Sequence, residues 1–270
     1  MTAAATIPIF DSLSHPTLTG RWISGDLDAS FVTLDRELRA AGFCGACAVG
    51  LAGVEGYSHE QYLQACASYP ALIPVAGLDP PMGPEPLAAE LERIAGLGYR
   101  AVKIHPRLSR FEPTMEILGA IFQAACARGL VVFYCTYLHS RVDVYPMTDP
   151  FYALVGGLRR SPGARVILVH GGDVQVLRYA ELVRFNPDLL LDLSFTLLKY
   201  RGSSLDADLS FLFRQFDRRI CIGVDHPEFT HRALRERFDE LAAGLPEDKA
   251  RNIAYRNLET FLGIRTTACP

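Results

Sequence analysis

One pattern repeats along the whole chain. A short run of β-branched and apolar residues is followed by a turn and then by an amphipathic stretch. Eight such runs can be read: IPIFD, GFCGACAVGL, LIPVAGLDP, YRAVKIHP, GLVVFYCTY, ARVILVHGG, LLLDLSF and RICIGVDHP. Between them lie helical stretches such as SHEQYLQACASYP, PEPLAAELERIAGLG, TMEILGAIFQAACARG and VQVLRYAELVRFNP. In the third, Met115, Leu118, Ile121, Phe122 and Ala125 recur at helical spacing. Strands alternating with helices specify a parallel sheet. Several runs are apolar on both faces, as strands enclosed between a barrel core and outer helices must be. Eight units in 270 residues match the size of a (β/α)8 TIM barrel, so the α/β chain is read as one barrel over residues 1–270. A doubly wound open sheet is the alternative. It is disfavoured because no Gly-x-Gly-x-x-Gly follows the first run. The segment from Thr136 to Pro162 is expected to be a loop or short insertion after the fifth strand.

Composition narrows the function classes. Hydrophobic residues make up 49% of the chain, enough for a sizeable core, and the net charge is −3. Acids and bases are interspersed, which argues against a nucleic-acid groove or a polybasic membrane patch. No run of about 18 uncharged apolar residues appears, so no membrane span is expected. The N-terminal MTAAATIPIF lacks the basic and apolar regions of a secretory signal. The seven cysteines are odd in number, and Cys47, Cys126 and Cys221 sit in apolar segments. They read as reduced, buried thiols of a cytoplasmic protein, and Cys44-x-x-Cys47 reads as structural, since no second pair accompanies it. A homodimer is the default oligomer.

In such a barrel the chemistry belongs at the C-terminal ends of the strands. The first run ends in Asp11, Leu13 and His15, which share a face if the strand alternates regularly. The fourth ends in Lys103 and His105, and the fifth in Tyr134, Cys135 and Thr136. The sixth ends in His170, the seventh in Asp192 and Ser194, and the eighth in Asp225 and His226. Imidazoles and carboxylates at converging strand ends are how a barrel holds a divalent cation. Lys103 points inward by strand parity, where an ammonium must be paired, neutral or at the mouth. Arg107 and Arg110 follow for an anionic substrate; Tyr134, Tyr137 and His139 offer surface for a ring-bearing one. His59, His231 and Trp22 show no supporting pattern.

FDSLSH, AVKIHP, VILVHGG, IGVDHP and the closing NIAYRNLETFLGI resemble the landmarks of the amidohydrolase superfamily. They look most like its amidohydrolase-related branch, which includes aminocarboxymuconate-semialdehyde decarboxylase-like enzymes. The resemblance spans nearly the whole chain. It implies a barrel with a divalent metal, zinc by preference, at its mouth, and hydrolysis or non-oxidative decarboxylation of a small molecule. It implies metal ligation by His15, His170 and Asp225, with Asp11 beside them, and proton transfer by Asp225. Two positions depart. The family's first strand usually ends Asp-x-His-x-His, but Leu13 stands where the first histidine would be, and Cys135 stands where a fifth-strand histidine would be.

Three readings follow. In the first, a cation on His15, His170 and Asp225, with Cys135 as a fourth ligand, activates water or polarises a carbonyl. Asp225 and His170 then act catalytically, and Lys103 and His105 position substrate. In the second, the same residues do metal-free acid–base chemistry such as dehydration, cyclisation or isomerisation. In the third, the barrel is inactive and binds a metabolite or protein.

Overall fold

The computed structural model describes residues 7–80, 83–137, 142 and 146–265. Every one of the eight apolar runs is a strand. They are β1 Ile9–Ser14, β2 Phe43–Val49, β3 Leu72–Leu78, β4 Ala101–Ile104, β5 Val131–Cys135, β6 Val166–Val169, β7 Leu189–Asp192 and β8 Ile220–Cys221. They form one sheet in chain order, with each strand parallel to the next. The helices between them lay apolar faces against this sheet. Helix Met115–Cys126 starts at Thr114, whose hydroxyl accepts a bond from the Ile117 amide, and it buries Leu118, Ile121, Phe122 and Ala125. No helix among the described residues is long and apolar enough to cross a membrane.

The segment after β5 holds more order than its sequence suggested. Asp149 caps a helix over Pro150–Arg160 by accepting from the Phe151 amide at 2.8 Å. Proline at the first position and two arginines in the last turn suit this helix electrostatically and sterically. Phe151, Leu154 and Leu158 lie at helical spacing and pack on the core, with Ala153 and Gly157 buried beside them. His139 lies outside the described residues. Cys47 and Cys221 are buried free thiols, as expected, as are Cys66 and Cys135; Cys126 is free but only half-buried, and Cys44 is disulfide-bonded.

β8 is only two residues long, so the seam where it meets β1 is held by other means. The Ser12 amide donates to Ile222 O, the Asp225 amide to Leu13 O and the His15 amide to His226 O, at 2.8–3.0 Å. Asp11 sits in this seam, fully buried. Its Oδ1 accepts from the Leu13 and Val224 amides at 3.0 and 2.9 Å. Its Oδ2 accepts from the Ser14 hydroxyl at 2.5 Å and from His231 Nε2 at 3.0 Å. Gly223 passes so close that a Cβ there would lie 2.4 Å from Ser12 Oγ and 2.8 Å from the Leu13 amide nitrogen.

This arrangement corrects the expected face of β1. The register against β2 slips between Asp11 and Ser14, so strict alternation is lost over those residues. Asp11 turns toward His231, Ser12 reaches Asp192 of β7, and only His15 reaches the mouth.

Asp11→Ala would strand two buried amides and the His231 ring. It is expected to destabilise the fold by about 3–5 kcal/mol in denaturant melts. Gly223→Ala is expected to lose about 1–3 kcal/mol by overpacking the same seam.

Candidate active site

A cavity of about 420 Å³ opens at the C-terminal ends of the strands. Basic, acidic and aromatic groups line it, among them His15, His105, His170 and Asp225. Five non-glycine residues among those described have positive φ, and four of them, Arg110, His170, Phe195 and Asp225, line this cavity. Backbone held in a sparsely populated region costs free energy and clusters at functional sites.

His15 and Asp225 form a pair. His15 Nδ1 donates to Val49 O at 2.8 Å, which leaves Nε2 facing Asp225 Oδ1 at 3.4 Å. Trp22 stacks on the His15 ring at 5.7 Å between centroids, and its indole N–H donates to Glu228 at 2.5 Å. Burial opposes the charge on Asp225. The bond to His15 and the surrounding basic side chains outweigh it and hold the carboxyl well below the usual range. Asp225 is therefore ionised at neutral pH.

His170 is anchored from behind. Its Nδ1 faces Ser194 O and Ser194 Oγ, both at 3.2 Å, so Nε2 is the nitrogen left for the cavity. Its backbone amide and the Ser194 hydroxyl both bond to Asp192, which also accepts from Ser12 Oγ at 2.5 Å. Burial pushes the His170 ring down to about 3, so it is a neutral imidazole. The two glycines after it serve the turn: Gly172 has φ of 78°, and a Cβ there would sit 2.0 Å from the Tyr179 ring.

His105 and Cys135 hold each other. The Leu108 amide donates to His105 Nδ1 at 3.3 Å, so Nε2 carries the proton and points at Cys135 Sγ, 3.7 Å away. The Cys135 thiol donates in turn to Tyr137 O at 3.8 Å. Burial pushes the His105 ring well down and the thiol up, so both are neutral. Lys103 lies beneath the cavity rather than in its wall. It is 1% exposed and its Nζ has no hydrogen-bond partner. Burial pushes this ammonium below its usual range, only partly opposed by Cys135, Asp225 and Asp192. It pairs with neither Asp11 nor Asp225.

This donor set does not fit a cation at the mouth. Leu13 is buried core, Asp11 is saturated in the seam, and Cys135 Sγ is engaged with His105 and with Tyr137 O. His15, His170 and Asp225 remain, but their ligand atoms do not converge. Among the described residues, the trio of ligand atoms within 4.8 Å of one another is Glu37, His226 and His231, none of which lines the cavity. Of the residues read from the strand ends, His15, His105, His170 and Asp225 line the cavity, while Asp11, Lys103 and Cys135 do not. Sequence reasoning gave no role to Trp22, whose partners are His15 and a glutamate 206 positions away.

The profile of the amidohydrolase family matches residues 20–264, so the chain belongs to that family. No curated protein matches the sequence. Solved structures share the fold. An uncharacterised TIM-barrel protein of Bordetella bronchiseptica has a TM-score of 0.77 at 19% identity, covering 95% of this chain and 99% of that one. The 5-carboxyvanillate decarboxylase of Sphingomonas paucimobilis gives 0.68 at 14%, covering 96% and 100%. A Pseudomonas putida protein described as a 2-pyrone-4,6-dicarboxylic acid hydrolase gives 0.65 at 16%, covering 95% and 98%.

The depressed His170 ring has a stability signature. Neutral in the fold and basic when unfolded, it favours the native state fully above pH about 6.5, and that contribution is lost as pH falls toward about 3. Between pH 7 and 5 the loss is about 2 kcal/mol. Chemical denaturation is expected to show this acid-side loss in the wild type and a flatter profile in His170→Gln.

Proposed function

We propose that this amidohydrolase-family barrel is a hydrolase of small cyclic carboxylates, working by acid–base chemistry without a metal at the mouth. The observation that carries the reading is the His15–Asp225 pair, 3.4 Å apart in the wall of a cavity that also holds Arg107 and Arg110. Two guanidiniums suit a carboxylate. Arg107 is held over the Tyr137 ring at 5.1 Å, and Trp22 and Phe195 supply apolar walls for a ring. A cavity of about 420 Å³ suits one substituted ring. The solved relatives named for a pyrone dicarboxylate and a carboxylated phenol support the same substrate class.

The reaction follows from the protonation states. Ionised Asp225 takes a proton from a water molecule in the cavity, with His15 Nε2 3.4 Å from its Oδ1 to hold the carboxylate in place. The water oxygen attacks the carbonyl carbon of a ring ester, and Arg107 counters the charge that develops on the carbonyl oxygen. The proton returns to the leaving oxygen as the ring opens. Decarboxylation needs a proton donor for the carbon left behind. His170 and His105 are both held neutral, with their N–H groups turned to Ser194 and Cys135, so neither ring is free to protonate that carbon.

The test is a panel of carboxylated lactones and aromatic carboxylates with product identification. Ring opening by water is expected, at a rate unchanged after dialysis against a chelator while circular dichroism shows the fold intact. Asp225→Asn is expected to lower kcat by about 10²–10⁴-fold, and Arg110→Gln to act mainly on KM. Release of CO₂ with the ring intact, or turnover that requires added divalent metal, would contradict the reading.

A further inference from the structure

A second convergent polar cluster lies behind the seam, away from the cavity. Glu37 comes from helix Phe31–Ala40, His226 directly follows Asp225, and His231 opens helix His231–Ala242. One ligand atom from each lies within 4.8 Å of the other two. Glu37 Oε2 is 3.1 Å from His231 Nδ1, where the two groups share a hydrogen bond that an ion would replace, and 3.8 Å from His226 Nδ1. A tetrahedral ion with ligands at about 2.0–2.1 Å requires ligand atoms about 3.3–3.4 Å apart. The two measured separations bracket that value.

Two further features point to an ion. His226 is 2% exposed, yet neither of its ring nitrogens has a hydrogen-bond partner. A buried imidazole without partners is costly, and native proteins rarely leave one so. His231 turns Nδ1 to the cluster while Nε2 meets Asp11 Oδ2 at 3.0 Å. A carboxylate behind the far nitrogen is the arrangement that orients a metal-binding histidine. Phe43 sits edge-on to the same ring, with centroids 4.9 Å apart, and further fixes it.

We propose that Glu37, His226 and His231 form a divalent-metal site selective for zinc, with Asp11 orienting His231. Two imidazoles and one carboxylate suit zinc rather than magnesium or calcium, which take oxygen ligands. Glu37 and Asp11 supply two negative charges to the dication. The Glu37 side chain is 27% exposed, which gives the ion a path from solvent. The ion ties the chain just past Asp225 to two outer helices, so its role is to brace the barrel seam. This holds whichever reaction the mouth performs.

The test uses the full chain without a metal-binding tag, stripped with a chelator and titrated with ZnCl₂ or CoCl₂. One Zn²⁺ per chain is expected, with a higher Tm and, for Co²⁺, the visible absorption of a four-coordinate ion. His226→Asn and Glu37→Gln are each expected to weaken zinc binding more than about 100-fold, beyond the usual loss for an outer-shell change. The His226 ring makes no hydrogen bond, so His226→Asn breaks none, and its metal-free Tm reports whether it folds. If it does not fold, Glu37→Gln, altered at a partly exposed side chain, decides. His170→Gln is expected to bind zinc as the wild type does. No uptake by folded wild type, uptake that survives both cluster variants, or uptake lost in His170→Gln would overturn the proposal.

Discussion

Closure of the barrel at one buried carboxylate governs the rest of the structure. β8 contributes only Ile220–Cys221, too little ladder to seal the sheet by itself. Asp11 completes the seal by accepting from two amides, one hydroxyl and one imidazole, in a place with no exposure to water. A buried carboxylate is tolerated only when its lone pairs are used, and here they are. The same bonds set the path of Leu13 to His15 and of Gly223 to Asp225. The pair that faces the cavity is thus positioned by a residue that never touches it.

Asp11 also divides the polar residues of this end of the barrel. On one side, His15 and Asp225 meet at the mouth, and His170 is fixed by Ser194 and Asp192. On the other, His231 and Glu37 gather behind the seam beside His226. The mouth holds an ionised Asp225 beside His15, with His170 and His105 as neutral rings. Those behind the seam have the separations and donor types of a coordination sphere. In this account the family's association of histidine with aspartate persists at the mouth as acid–base chemistry, while the cation site lies in the seam.

The strands were legible because a run apolar on both faces, bounded by turns, has few other fates in water. His15, His170 and Asp225 were legible because a polar residue ending such a run stands at a barrel mouth. The slip in β1 was not legible: no residue between Asp11 and Ser14 marks it, and it decides that Asp11 leaves the face of His15. His231 showed no pattern because its partner Asp11 lies 220 positions away, and Glu37 lies 194 away. Trp22 was hidden for the same reason. Helix Pro150–Arg160 escaped because its leading proline and the Gly156-Gly157 pair read as loop, although Phe151, Leu154 and Leu158 keep helical spacing. Local preference and spacing reveal elements; bonds across the seam appear only once the chain has closed.

The proposed division of this barrel end places no metal at the mouth and a cation in the seam. Anomalous X-ray diffraction at the zinc edge, from crystals equilibrated with zinc, tests both halves at once. One peak is expected among Glu37, His226 and His231 and none between His15, His170 and Asp225. A peak at the mouth, with the seam empty, would contradict that division.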